Sequence, residues 1–123
     1  MIFLDTNIII EYLKGNDNFI SAYKLEEMFI NDIVLMELYQ GAKSKEDLNF
    51  IIKNISQFKV LNTTHEIVKL STMLVKRYNL SHNLKILDAI IASTSLVYNL
   101  ELLSLNQKDF RYIDGLKLAS LER

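Results

Sequence analysis

Short, unbroken apolar runs alternate along this chain with longer stretches in which apolar residues recur every three or four positions. The runs MIFLD, MFIN, KVLN, LELLSLN and LKLASL are too short for helices and predict strands. Between them, NIIIEYLKG, DNFISAYKLEE, DIVLMELYQGA, SKEDLNFIIKNISQF, TTHEIVKLSTMLVKRYN and ILDAIIASTSLVYN carry helical spacing. Asn7 or Thr6 caps the first of these helices and Gly15 stops it. Ser44 caps the fourth, with Asp47 where a capping box usually has Glu or Gln. Strands alternating with helices predict an α/β fold: a three-layer α/β/α sandwich with a mainly parallel central sheet. No repeat, low-complexity tract or Gly/Ser/Pro-rich linker divides the 123 residues, so one domain over 1–123 is expected.

Composition narrows the class. Half of the residues are hydrophobic and 24% are charged, the balance of a globular domain and not of a disordered chain. A net charge of -1 gives no global pull toward nucleic acid, so any basic surface is local. The absence of Cys excludes a disulfide framework and a thiolate metal site, and fits a reducing cytoplasm. No apolar stretch reaches the length of a bilayer crossing, and Asp5 interrupts the first apolar run with no basic segment before it. A cytoplasmic protein with neither secretory signal nor membrane anchor is the expectation.

The chemistry lies in where acids interrupt the apolar pattern. Asp5 ends the first predicted strand, and in open α/β sheets the ligand crevice lies at the carboxyl ends of the strands. Glu37 has Ile33, Val34, Gln40 and Gly41 as its helical neighbours, a largely apolar face with no Lys or Arg within a turn. Asp88 opens an apolar helix, where the helix dipole favours negative charge. The run LLSLNQKDF delivers Asn106 and Asp109 to the same sheet edge. Each acid alone has an ordinary reading, as a helix cap or a surface residue. Three or four converging on one edge do not, because clustered carboxylates raise one another's pKa unless a cation lies between them. No basic residue is placed to do this, and a hard divalent cation with oxygen ligands, Mg2+ or Mn2+, is the natural neutraliser.

These residues resemble the PIN-domain ribonucleases, and especially the VapC toxins of bacterial and archaeal toxin–antitoxin pairs. The likeness rests on FLDTNIII, on IVLMELYQGA with Glu37, on ILDAIIASTSLVYNLELLSLN with Asp88, and on NQKDF followed by GLKL. It implies a metal-dependent endoribonuclease with Asp5, Glu37 and Asp88 as its acidic centre. Many PIN domains place an Asp where Asn106 stands, whereas VapC-like members often have Asn there and an acid three residues later. Asp109 then takes the fourth role and Asn106 that of a polar helper. Asn31 stands where the family usually has a small hydroxyl residue near the second strand's end. Thr6 and Ser104 hold the other hydroxyl positions, from which both orient carboxylates by hydrogen bonding. The resemblance also implies an RNA substrate, a homodimer, and a small antitoxin partner whose cationic side chain enters the acidic pocket. The apolar residues of FISAYKLEEMF are candidates for the antitoxin groove or for core packing.

Lys43, Lys45, Lys85, Lys108 and Arg111 flank the acidic motifs as candidate phosphate contacts. A haloacid-dehalogenase-type phosphatase also begins with a strand ending in Asp, but its chemistry needs a second acid at the place of Asn7. A catalytically degenerate PIN-like module that only binds RNA or protein is the alternative in another class, and Asn106 is the residue that favours it. His65 and His82 have no partner at ligand spacing and make a poor zinc site.

Overall fold

The computed structural model describes residues 1–121. Four parallel strands form one sheet in the order β3-β2-β1-β4, with β1 at Ile2–Leu4, β2 at Met28–Asn31, β3 at Lys59–Leu61 and β4 at Glu101–Leu103. Helices α1 (Thr6–Leu13), α2 (Asp32–Gln40), α3 (Lys45–Ile55), α4 (His65–His82) and α5 (Ile86–Tyr98) complete a three-layer α/β/α sandwich. Strand β1 is buried along its whole length, as the continuous apolar run IFL requires of an inner strand covered on both faces. Edge strand β3 leaves Lys59 and Val60 exposed.

Local chemistry sets the helix ends. Asp5 itself, and neither Thr6 nor Asn7, is the N-cap of α1; its side chain accepts the Thr6 N–H at 2.8 Å. Gly15, just past the end of α1, takes φ +94, which a side chain would strain. Ser44 caps α3, and Asp47, a methylene shorter than Glu, reaches the backbone N–H of Lys43 instead of closing the box on Ser44. Left-handed Asn83 and Asn99 end α4 and α5.

Two expected elements are absent. DNFISAYKLEE is a series of turns ending in a 3-10 turn at Leu25–Glu27. The side chains of Asn16 and Ser21 bond backbone groups at Asn18, and backbone bonds run only three residues, from Ile20 to Asp17 and from Tyr23 to Ile20. Short polar side chains compete here with the helical ladder. Ile20 and Met28 are buried in the core and Phe19, Tyr23 and Phe29 pack against it, while Leu25 of the same segment is exposed. LKLASL makes only one bridge, Leu118 to Leu102, with bonds from Leu102 to Lys117 and from Ala119 to Leu102.

Because all four strands run the same way, Asp5, Asn31 and Ser104 arrive together at the carboxyl edge. Helix α5 precedes β4 and runs back against it, so Asp88 in its first turn reaches that edge too. Among the described residues no helix is long and apolar enough to cross a membrane.

Candidate active site

The seam between β1 and β4 is where the strand order reverses, and a hydrogen-bonded network is built across it. The Asp5 N–H continues the ladder by donating to the Leu103 carbonyl at 3.0 Å. Ser104, fully buried, donates its hydroxyl to Asp5 Oδ2 at 2.8 Å, and its own oxygen accepts from the Asn106 N–H and from Asn7 Nδ2. Asn7 Oδ1 accepts from the Leu105 N–H. Thr6 donates to Glu37 Oε1 at 2.8 Å, tying α1 to α2. Asp5 is thus held at both oxygens and Glu37 at one.

Asp88 and Asp109 complete the cluster differently. Neither side chain has a hydrogen bond or ion pair among the described residues; Asp88 is half-buried and Asp109 exposed on the 3-10 turn Gln107–Asp109. The mutual influence of the charges marks the four acids as neighbours. Burial pushes the Asp5 carboxyl above its ordinary range, against its two hydrogen bonds, and the charges of Glu37 and Asp109 add to the rise. Asp88 is pushed up to about 6, first by burial and then by Asp5, Asp109 and Glu37. No cation answers them: the ion pairs among the described residues are Lys14–Glu11 and Arg77–Asp114.

The donor set suits a hard dication, with four carboxylates and no imidazole or thiolate among them. Yet no three His, Cys, Asp or Glu side chains among the described residues form a ready metal cage. The chemistry of the donors fits such an ion, while their spacing in this structure does not close around one.

Asn31, buried, caps α2 through the Val34 N–H and donates to Thr94 on α5 at 3.1 Å. It locks the helices that carry Glu37 and Asp88 and touches no carboxylate. The side chain of Asn106 is exposed and makes no hydrogen bond among the described residues; only its backbone joins the network. Lys43, Lys45, Lys85, Lys108 and Arg111 are all exposed. His65 is exposed at the start of α4, and His82, beyond the end of the helix expected from TTHEIVKLSTMLVKRYN, is that helix's last residue. Sequence reasoning missed two residues. Asn7 as the tie to β4 was signalled only by its place two residues after Asp5. Tyr112, whose phenol is raised by burial and then by Asp88 and Asp109, was signalled only by its nearness to Asp109 in the chain. Beside Glu37 lies a groove of about 520 Å³ between α1, α2 and α3, walled by Ile10, Leu13, Leu38 and Phe50.

A family model for the PIN domain matches residues 2–116. Ribonuclease VapC2 of Methanocaldococcus jannaschii is 31% identical, over 98% of this chain and 93% of that protein. A chain of a toxin-antitoxin complex from Klebsiella pneumoniae superposes with a TM-score of 0.81 at 29% identity, covering 98% of each chain. A chain of VapBC2 from Rickettsia felis, solved bound to a promoter DNA fragment, gives 0.80 at 27% identity, over 97% of this chain and 98% of that one.

Proposed function

Since the chain belongs to the PIN-domain family, among its VapC-like members, we propose that it is an endoribonuclease dependent on Mg2+ or Mn2+ and the toxin of a toxin–antitoxin pair. The observation that carries this reading is Asp88, a carboxylate raised to about 6 by burial and by Asp5, Asp109 and Glu37, with no hydrogen bond or ion pair among the described residues. Asp5, Asp88, Glu37 and Asp109 are the residues that would hold the cation. When bound, such an ion polarises a backbone phosphate, lowers the pKa of water and stabilises charge on the leaving 3′ oxygen.

The chain's own residues do the rest. Ser104 and the Thr6 N–H fix both oxygens of Asp5, so this ligand keeps its orientation as substrate arrives. Thr6 fixes one oxygen of Glu37 and leaves the other to position and deprotonate the attacking water, with Asp109 the alternative base. Asn106 helps only through its backbone N–H on Ser104. Exposed Lys43, Lys45, Lys85, Lys108 and Arg111 contact flanking phosphates. The antitoxin lays an apolar segment in the groove beside Glu37 and reaches the acids with a cationic side chain, and two copies of the chain associate. The expected location is the cytoplasm.

The test is cleavage of labelled RNA by the purified protein, with Mg2+ or with EDTA. Cleavage that requires Mg2+ and is lost in Asp5→Asn supports the reading; wild-type cleavage by Asp5→Asn sinks it. Tight RNA binding without any cleavage would instead favour a degenerate binding module.

A further inference from the structure

Three rings pack at the same edge and have no part in the chemistry above. Tyr78 and His82 lie one turn apart near the end of α4, and Tyr112 follows Asp109 by three residues. The Tyr112 and His82 rings stack with centroids 4.0 Å apart and planes 9° from parallel. Tyr78 meets Tyr112 edge-on at 5.1 Å and His82 at 5.9 Å. The stack is held from several sides. Ser81 Oγ lies 2.7 Å from His82 Nδ1, the Asp114 N–H donates to the Tyr78 hydroxyl at 3.3 Å, and Arg77 pairs with Asp114.

Core packing accounts for buried Tyr78 and half-buried Tyr112, but not for His82, which is exposed. Its stacked contact covers a single ring face. Three residues link the end of α4 to the start of α5, so His82 stands at the edge that carries Asp88. The charges of Asp88 and Asp109 both reach the Tyr112 phenol, which places the stack beside the pocket. Exposed Lys85 and Arg111 lie on either side in the chain.

We propose that His82, backed by Tyr112 and Tyr78, is a platform on which one nucleobase of single-stranded RNA stacks beside the acidic pocket. This rests on the ribonuclease reading and makes His82 a specificity-determining residue for unpaired RNA. A splayed base offers its π-face to such a ring, whereas a base inside a duplex has both faces stacked. Because every base has a π-face, the platform selects strandedness more than sequence.

The test uses the full chain as Asp5→Asn, which keeps the strand intact, and single-stranded RNA hexamers carrying 2-aminopurine at each position in turn. Binding should quench the fluorophore at one position. Adding His82→Ala should weaken binding about tenfold and abolish that quenching, and His82→Phe should restore both. In cleavage by otherwise wild-type enzyme, His82→Ala should act on KM more than on kcat. A His82→Ala protein that binds and quenches like its parent, a His82→Phe protein that fails to rescue, or equal quenching with a duplex overturns the platform alone. A wild-type protein that neither cuts nor binds RNA overturns the ribonuclease reading along with it.

Discussion

The two halves of the acidic pocket are built on different terms. On the β1–β4 seam, Asp5 is only 7% exposed, both its oxygens are hydrogen-bonded, and Thr6 ties it to Glu37. On the rim formed by α5 and the turn after β4, Asp88 and Asp109 have no hydrogen bond or ion pair among the described residues. The folding chain satisfies the first half itself and leaves the second to whatever binds. Asp5 and Glu37 are thus oriented by the fold itself, while the four carboxylates, which feel one another's charge, make no preformed cage among the described residues.

The largest effect should come from removing one acid from each half. Asp5→Asn and Asp88→Asn should each slow RNA cleavage by about a thousandfold, several kcal/mol of transition-state stabilisation, measured on labelled RNA in Mg2+. If Asp88→Asn cut at the wild-type rate, the loose half would have no part in the chemistry. Metal should next reveal itself in stability. Mg2+ at about a hundred times its Kd should stabilise the wild type by about 2.7 kcal/mol in thermal unfolding, and either variant by less. An identical shift in all three would place the ion elsewhere.

Ser104→Ala probes the rigid half, and should cost about 10- to 100-fold in activity or metal affinity by freeing Asp5 Oδ2. The loose half carries the pH dependence. Asp88 titrates near 6 when folded and near 3.9 when unfolded, so the folded state binds the extra proton between those values. Without metal, stability from this group is full below about pH 4 and is lost as pH rises through 6. Asp88→Asn should remove that slope and, in EDTA at pH 7, stabilise by about 1 kcal/mol once solvent screening is allowed for. Asp5→Asn should gain nothing comparable, because it trades hydrogen bonds for relieved repulsion. Smallest of all, Arg77→Ala breaks an ion pair whose side chains are 63% and 77% exposed, and should move stability by no more than about 0.5 kcal/mol.

The same contrast explains what was legible in the sequence. IFL and MFIN read directly as strands because continuous apolar runs belong to a covered parallel sheet, whereas KVL, exposed at Lys59 and Val60, is an edge strand. The parallel direction then fixes which residues meet at the carboxyl edge. The roles of Thr6 and Ser104 as donors to carboxylates were legible through the family resemblance, which expects hydroxyls at those positions. DNFISAYKLEE misled because its apolar spacing suits a helix while Asn16, Asn18 and Ser21 suit turns, and the side-chain bonds won. LKLASL pairs at a single residue, since Leu102 alone takes its bonds. The His82–Tyr112 stack joins a helix end to a loop 30 residues away, a pairing that local pattern does not encode.

The Asp5–Ser104 bond joins groups 99 positions apart, and β1 finds one of its two neighbours only in β4. During synthesis, therefore, the amino-terminal strand leaves the ribosome long before its partner exists. Such distant pairing forms late and slowly. A nascent or prematurely terminated chain ending before β4 lacks the Ser104 hydroxyl, so one oxygen of Asp5 is left unheld until that strand has been made.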